Sequence, residues 1–169
     1  SPGLGVRTRA LTQAISVDVA VVGAGICGAF MAHELARDHS VAVLDRRPPV
    51  MGSTLASTAM LQWEIDLTLT DLSRRIGADK ARRAYLRSRA AVDDLKQIVA
   101  REGIRCGLKP KGALYLAGDE YGCRALEAEA QARAEIGLES RYVGPAELRD
   151  TYGIDRTGAI VSDGSASAD

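Results

Sequence analysis

Three glycines at positions 23, 25 and 28 set the tightest limit on how this chain folds. Their G-x-G-x-x-G spacing follows directly on Val17 to Val22, a short run that is β-branched and nearly all apolar. Such a run reads as a buried parallel strand. From Ile26 to Asp38 the pattern turns helical, with Phe30, His33 and Leu35 among the small Ala29, Ala32 and Ala36. Val41 to Leu44 reads as a second buried strand, ending on Asp45. Strand, glycine turn, helix and strand within about thirty residues make a βαβ unit. The expected fold class is α/β, built on a Rossmann-like unit.

Each glycine has a physical task. Gly23 permits the tight turn out of the strand, Gly25 lets a pyrophosphate approach the backbone, and Gly28 lets helix and strand pack closely. The helix N-terminus offers N–H groups and partial positive charge to the phosphates. Asp45 lies 22 positions beyond Gly23, near the ~20 expected of the acid that binds ribose hydroxyls. A carboxylate there disfavours a 2′-phosphate, while Arg46 and Arg47 beside it leave NADP open. These residues by themselves specify a dinucleotide, FAD or NAD(P), and no more.

Composition narrows the field. With 22 basic and 22 acidic side chains the net charge is zero, and aromatic residues make up 4%. Neither a basic field nor a stacking surface for nucleic acid is expected. Three cysteines, Cys27, Cys106 and Cys123, show no CxxC spacing. That argues against a disulfide framework or a metal site, and fits a reducing compartment. No apolar run nears the roughly 20 residues of a spanning helix. Residues 1–16 read as a loose leader without signal-peptide features. A soluble, cytoplasmic protein of one domain, or one and part of another, is expected.

Further on, Arg46 to Gly52 reads as a loop, Ser53 to Met60 as the opening of a short helix, and Leu61 to Thr70 resists assignment. Ala78 to Glu102 is the clearest helix, with Ala81, Tyr85, Ser88, Val92, Leu95 and Val99 on one face. Arg82, Arg83, Arg87 and Arg89 read as its solvated side. A strand is expected over Gly112 to Ala117, and a helix capped by Asp119 runs to Ile136. A short helix is expected from Pro145 to Gly153, a strand over Ala159 to Val161, and a polar tail over Asp163 to Asp169.

Several stretches of the chain carry a family resemblance. Asp18-Val-Ala-Val-Val-Gly-Ala-Gly-Ile-Cys-Gly, Ala32-His-Glu-Leu-Ala, Val41-Ala-Val-Leu-Asp45 and Gly52-Ser-Thr-Leu-Ala-Ser-Thr-Ala-Met-Leu61 carry it. So do Gly112-Ala-Leu-Tyr-Leu-Ala and the closing Gly164-Ser-Ala-Ser-Ala-Asp. The sequence resembles the D-amino-acid oxidase-like family of FAD-dependent oxidoreductases, which includes glycine and sarcosine oxidases and glycerol-3-phosphate dehydrogenases. The resemblance spans residues 17 to 169. It implies FAD as cofactor, held by the loop of Gly23, Ala24, Gly25, Ile26, Cys27 and Gly28, with Asp45 and Arg46 at the adenosine ribose. It further implies Ser53, Thr54, Thr58, Ala59 and Met60 around the pyrophosphate and ribityl chain.

Three positions depart from the family pattern. Asp45 stands for the usual Glu, the turn Asp38-His39-Ser40 lacks the usual Gly, and Ala59 stands where relatives often have Gly. Family members also run further, so the chain is read as an N-terminal fragment: a leader over 1–16, an FAD-binding unit and flavin loop over 17–75, and part of an α+β substrate or cap domain over 76–169. The missing C-terminal part of the same protein is the partner expected to complete it, with a small-molecule substrate and no nucleic acid or membrane. The oligomeric state stays open.

Flavin oxidation is mainly hydride transfer to the cofactor, which supplies the difficult chemistry. No catalytic residue is assigned. Trp63, Glu64 and Asp66 follow the flavin loop and either border the active-site cavity or form a solvated or packed surface; the surface is the plainer reading. Cys27 reads as a small residue allowing close approach to FAD, and His33 and His39 as helix and turn residues. Three functions follow: the N-terminal part of a flavoenzyme oxidising a small amine, amino acid or hydroxy acid; a non-catalytic nucleotide-binding module; and an NAD-dependent dehydrogenase.

Overall fold

The computed structural model describes residues 6–49 and 51–168. Residues 1–5 of the expected leader, Val50 and the closing Asp169 lie outside the described residues. The chain divides between Thr58 and Ala59 into two compact units. The boundary expected at 75/76 falls inside the second of them.

The first unit is the βαβ motif. Strand β1 (Val19–Val22) runs parallel to β2 (Val41–Leu44), with Val19 opposite Val41 and Val22 opposite Leu44, and helix α1 (Ile26–Leu35) connects them. The strands exist as expected, but they are not buried: Val22 is 86% exposed and Val43 42%. Among the described residues one helix covers one face of a two-stranded sheet, and that leaves the other face open to water. Ser40 replaces the expected glycine before β2 and has a use there. Its N–H and hydroxyl donate to Asp18 Oδ2 at 2.8 and 2.7 Å, tying the ends of the two strands. These bonds, the hydroxyl's first, hold the Asp18 carboxyl below its usual range. Residues 45–49 and 51–52 are loop, and a single 3₁₀ turn follows over Ser53–Ala56.

The second unit is one antiparallel sheet with helices. It comprises β3 (Met60–Leu61), α2 (Leu69–Ile76), α3 (Ala78–Arg101), β4 (Lys109–Leu116), α4 (Cys123–Glu135), β5 (Ser140–Val143), α5 (Pro145–Tyr152) and β6 (Ala159–Ser167). Strand β6 is its centre, pairing with β4 and also with β5 and β3. The expected polar tail is therefore wrong. Ser165 and Ala166 are buried in the middle of the sheet, where small side chains let α3 approach. Gly164, at φ +93°, lies against the Arg89 guanidinium of α3, and Lys96 donates to the Gly164 carbonyl. Arg89 also pairs with Asp93, so it is not the solvated residue expected, unlike the exposed Arg82, Arg83 and Arg87.

Helix α4 starts at Cys123 with Gly122 as its N-cap, not at Asp119. Helix α5 begins on Pro145 and stops at Gly153, whose left-handed φ of +67° closes it as expected. Pro and Gly mark these ends because one lacks an N–H and the other tolerates positive φ.

The core gathers around Trp63, which is fully buried with Tyr85, Ala81, Leu69, Val92 and Leu138. Trp63 is a core residue and not part of the solvated or packed surface expected of it. Its Nε1–H donates to the Asp163 carbonyl at 2.7 Å, and Ser88 Oγ donates to the Trp63 carbonyl at 2.7 Å. Arg133 of α4, 1% exposed, lies over both rings, its Cζ 5.6 Å from the Trp63 centroid and 5.5 Å from that of Tyr85. Arg133 Nε donates to Glu129 at 2.7 Å. The Glu129 carboxylate also accepts the N–H groups of Leu69 and Thr70 at 2.7 and 2.9 Å, so it serves the first turn of α2. These bonds offset the cost of burying the pair, although Arg133 Nη1 has no hydrogen-bond partner and meets only Glu64 Oε1, at 4.0 Å.

Candidate functional site

The site grows from the turn after β1. Gly23 has φ +107°, a conformation open to glycine, and its N–H donates to the Leu44 carbonyl at 2.8 Å. A Cβ on Gly28 would land on the Gly23 carbonyl far inside van der Waals contact, so helix and turn touch only because that side chain is absent. Gly25 is the extended N-cap of α1. No side chain caps it by the usual route. Instead the hydroxyl of Thr54, from the 3₁₀ turn, accepts the Ile26 N–H at 3.2 Å.

Asp45 faces the same turn. Its Oδ2 accepts the Ala24 N–H at 2.8 Å, and its Oδ1 accepts the Arg47 N–H at 2.9 Å. These two backbone bonds, Ala24 first, hold its carboxyl below the usual carboxylate range, with the Arg47 charge adding to them. Each carboxylate oxygen can accept a further bond, so ribose hydroxyls remain within its capacity. One cavity of about 240 Å³ lies here, lined by Gly25, Asp45, Arg47, Pro48, Gly52 and Thr54, with Met51 and Ser53 completing its wall.

Gly25, Asp45, Ser53 and Thr54 thus share a wall, with Ala24 and Ile26 bound to it through their amides. Cys27 is exposed on the first turn of α1, as a free thiol. Arg46 is exposed and does not line the cavity; Arg47, expected only as a residue that leaves NADP open, does. Thr58 is exposed at the end of the first unit. Ala59 and Met60 open the second, where the Ala59 carbonyl accepts the Ala168 N–H at 3.0 Å and Met60 pairs with Ser167. Ala59, at φ +52°, is the one non-glycine residue with positive φ among those described. Glycine is the residue that takes this conformation without a Cβ penalty.

The donors fit a dinucleotide: a glycine cradle that a Cβ would fill, a helix N-terminus, hydroxyls, and an acid whose charge is secured. Among the described residues no group of three or more His, Cys, Asp or Glu could hold a metal ion, and no helix is long and apolar enough to cross a membrane. The pattern of the family described as FAD dependent oxidoreductase, DAO, matches residues 18–169. The chain belongs to that family.

FAD is the cofactor of this FAD dependent oxidoreductase family, and solved members share the fold. Glycine oxidase from Geobacillus kaustophilus superposes with a TM-score of 0.68 at 27% identity, over 90% of this chain and 40% of its own. L-amino acid deaminase from Proteus vulgaris gives 0.72 at 19% identity, over 97% of this chain and 37% of its own. A Bacillus subtilis protein named putative Rieske 2Fe-2S iron-sulfur protein YhfW is 28% identical over 131 residues, 77% of this chain and 26% of that relative. The chain spans about a quarter of that relative's length and about two fifths of the solved neighbours'.

Proposed function

We propose that this chain is the FAD-binding N-terminal part of an oxidoreductase that oxidises the C–N bond of a small amine or amino acid. The observation that carries the reading is the convergence of Asp45 and Thr54 on the glycine loop. Two side chains distant in sequence bond the Ala24 and Ile26 amides beside one cavity. In this reading Gly23 to Gly28 approach the pyrophosphate and Asp45 takes the adenosine ribose. Arg46 stands beside the ribose, while Ser53, Thr54, Thr58, Ala59 and Met60 follow the pyrophosphate and ribityl chain. FAD, when bound, accepts the hydride and electrons of the oxidation. The chain's residues bind and orient it, and none is assigned as a base.

The amine class is preferred because the glycine oxidase of G. kaustophilus is similar at 27% identity. A hydroxy-acid or glycerol phosphate substrate is the second reading. The L-alpha-glycerophosphate oxidase of Mycoplasma pneumoniae, with FAD bound, shares the fold at 16% identity. A cytoplasmic location is part of the proposal and rests on three free cysteines. The division into a cofactor part over 17–75 and a substrate or cap part over 76–169 is likewise proposed.

The test is anaerobic. Protein loaded with FAD is mixed in turn with glycine, D- and L-amino acids, secondary amines and glycerol phosphate, and bleaching of the flavin bands is followed. Bleaching by an amine supports the reading. Bleaching by glycerol phosphate alone selects the second reading, and a bound flavin that none of them reduces favours a nucleotide-binding module without catalysis of its own.

A further inference from the structure

Arg47 forms part of the cavity wall, yet neither the glycine loop nor the ribose acid accounts for it. Its backbone is fixed: the Arg47 N–H bonds Asp45 Oδ1, and the other oxygen of that carboxylate holds Ala24. Its guanidinium lies along the loop that follows, with one terminal nitrogen 3.5 Å from where a Cβ on Gly52 would stand. That guanidinium enters no ion pair among the described residues, although the charge is near enough to Asp45 to lower its pKa. An unspent cation therefore borders the same cavity as Gly25, Ser53 and Thr54.

The cavity consequently has two electrostatic sides. Asp45 is negative and suits hydroxyl donors. Arg47 and the α1 N-terminus are positive and suit phosphoryl oxygens. An ADP group carries both chemistries in one molecule, a ribose diol joined to a charged diphosphate.

We infer that Arg47 is a specificity-determining residue for the nucleotide, its guanidinium taking a phosphoryl oxygen of the ADP half while Asp45 takes the ribose. This rests on the FAD reading above and adds a residue to it. The planar, permanently charged fork of Arg serves this better than Lys, which presents a point charge.

The test titrates wild type, Arg47→Ala and Arg47→Lys with FAD by flavin fluorescence, using ADP and adenosine as competitors at two salt concentrations. Arg47→Ala should bind FAD and ADP about tenfold more weakly, as the loss of one charge-assisted contact implies. Arg47→Lys should fall between, adenosine competition should be unchanged, and ADP binding should lose salt sensitivity in the Ala variant. ADP affinity unchanged by Arg47→Ala overturns the inference while leaving the FAD reading intact. So does an equal loss for adenosine, which would mark a purely structural role. Wild type that takes up no FAD overturns the FAD reading itself, before any variant is compared.

Discussion

The Asp45 carboxylate and the Ala24 backbone N–H are joined at 2.8 Å, so the acid ending β2 holds the glycine turn that ends β1. Its role is therefore double, as scaffold of the loop and as acceptor for ribose. Asp45→Ala should weaken FAD binding, since it removes both a charged acceptor for the ribose and the tie to the Ala24 N–H. Asp45→Asn, which keeps an acceptor, should lose less. Calorimetric titration with FAD measures both. Because the Asp45 pKa is lowered on folding, its contribution is present above the ordinary carboxylate pKa and is lost only as pH falls through the lowered value. FAD binding should not weaken through this group between neutral pH and the ordinary carboxylate pKa.

Arg133 is buried against Glu129 and over Trp63 and Tyr85. Arg133→Ala leaves Glu129 charged and buried without its partner, and should cost about 3–5 kcal/mol. Urea unfolding reads the loss. The chain's one Trp lies under this guanidinium, so its native fluorescence should also change.

Ala59 adopts φ +52°, which a Cβ makes unfavourable. Ala59→Gly should stabilise the fold by up to about 1 kcal/mol, less the entropy that glycine adds to the unfolded chain. Thermal unfolding of the two proteins checks the sign.

Tyr85 is fully buried, its hydroxyl donating to the Leu67 carbonyl at 2.7 Å. Burial pushes its pKa up to about 12, with the Arg133 charge opposing. The neutral phenol is the folded form. Its stabilisation is whole below the ordinary pKa near 10 and is lost as pH rises from there through about 12. Alkaline titration followed by tyrosinate absorbance should show Tyr85 ionising as the protein unfolds, with Tyr115, Tyr121 and Tyr142 also displaced upward.

The sequence makes some of this fold readable and hides the rest for identifiable reasons. The β1–α1–β2 unit is legible because glycine spacing and β-branched runs are local signals, as are the Pro145 and Gly153 ends of α5. The period of α3 shows its buried face through Ala81, Tyr85 and Val92. Helix α2 escapes notice although its signals exist, Thr68 accepting the Asp71 N–H at its start and Gly77 closing it. Strand β6 is hidden beyond Val161, because Ser, Gly and Ala have little strand preference. Its conformation comes from neighbours on both edges, a tertiary effect. At the site, the glycines and Asp45 are readable, whereas Arg47 over Arg46 depends on which side chain a loop turns toward the cavity. The bond between Thr54 and Ile26, 28 positions apart, has no sequence signal at all.

The most direct test of the account is a titration of the purified chain with FAD, FMN and NAD, followed by flavin fluorescence and calorimetry. The account predicts uptake of FAD with one-to-one stoichiometry, competition by ADP, and much weaker binding of FMN, which lacks the adenosine half that Asp45 and the glycine loop address. Binding of FMN as tight as that of FAD, or of NAD in preference to both, would contradict it.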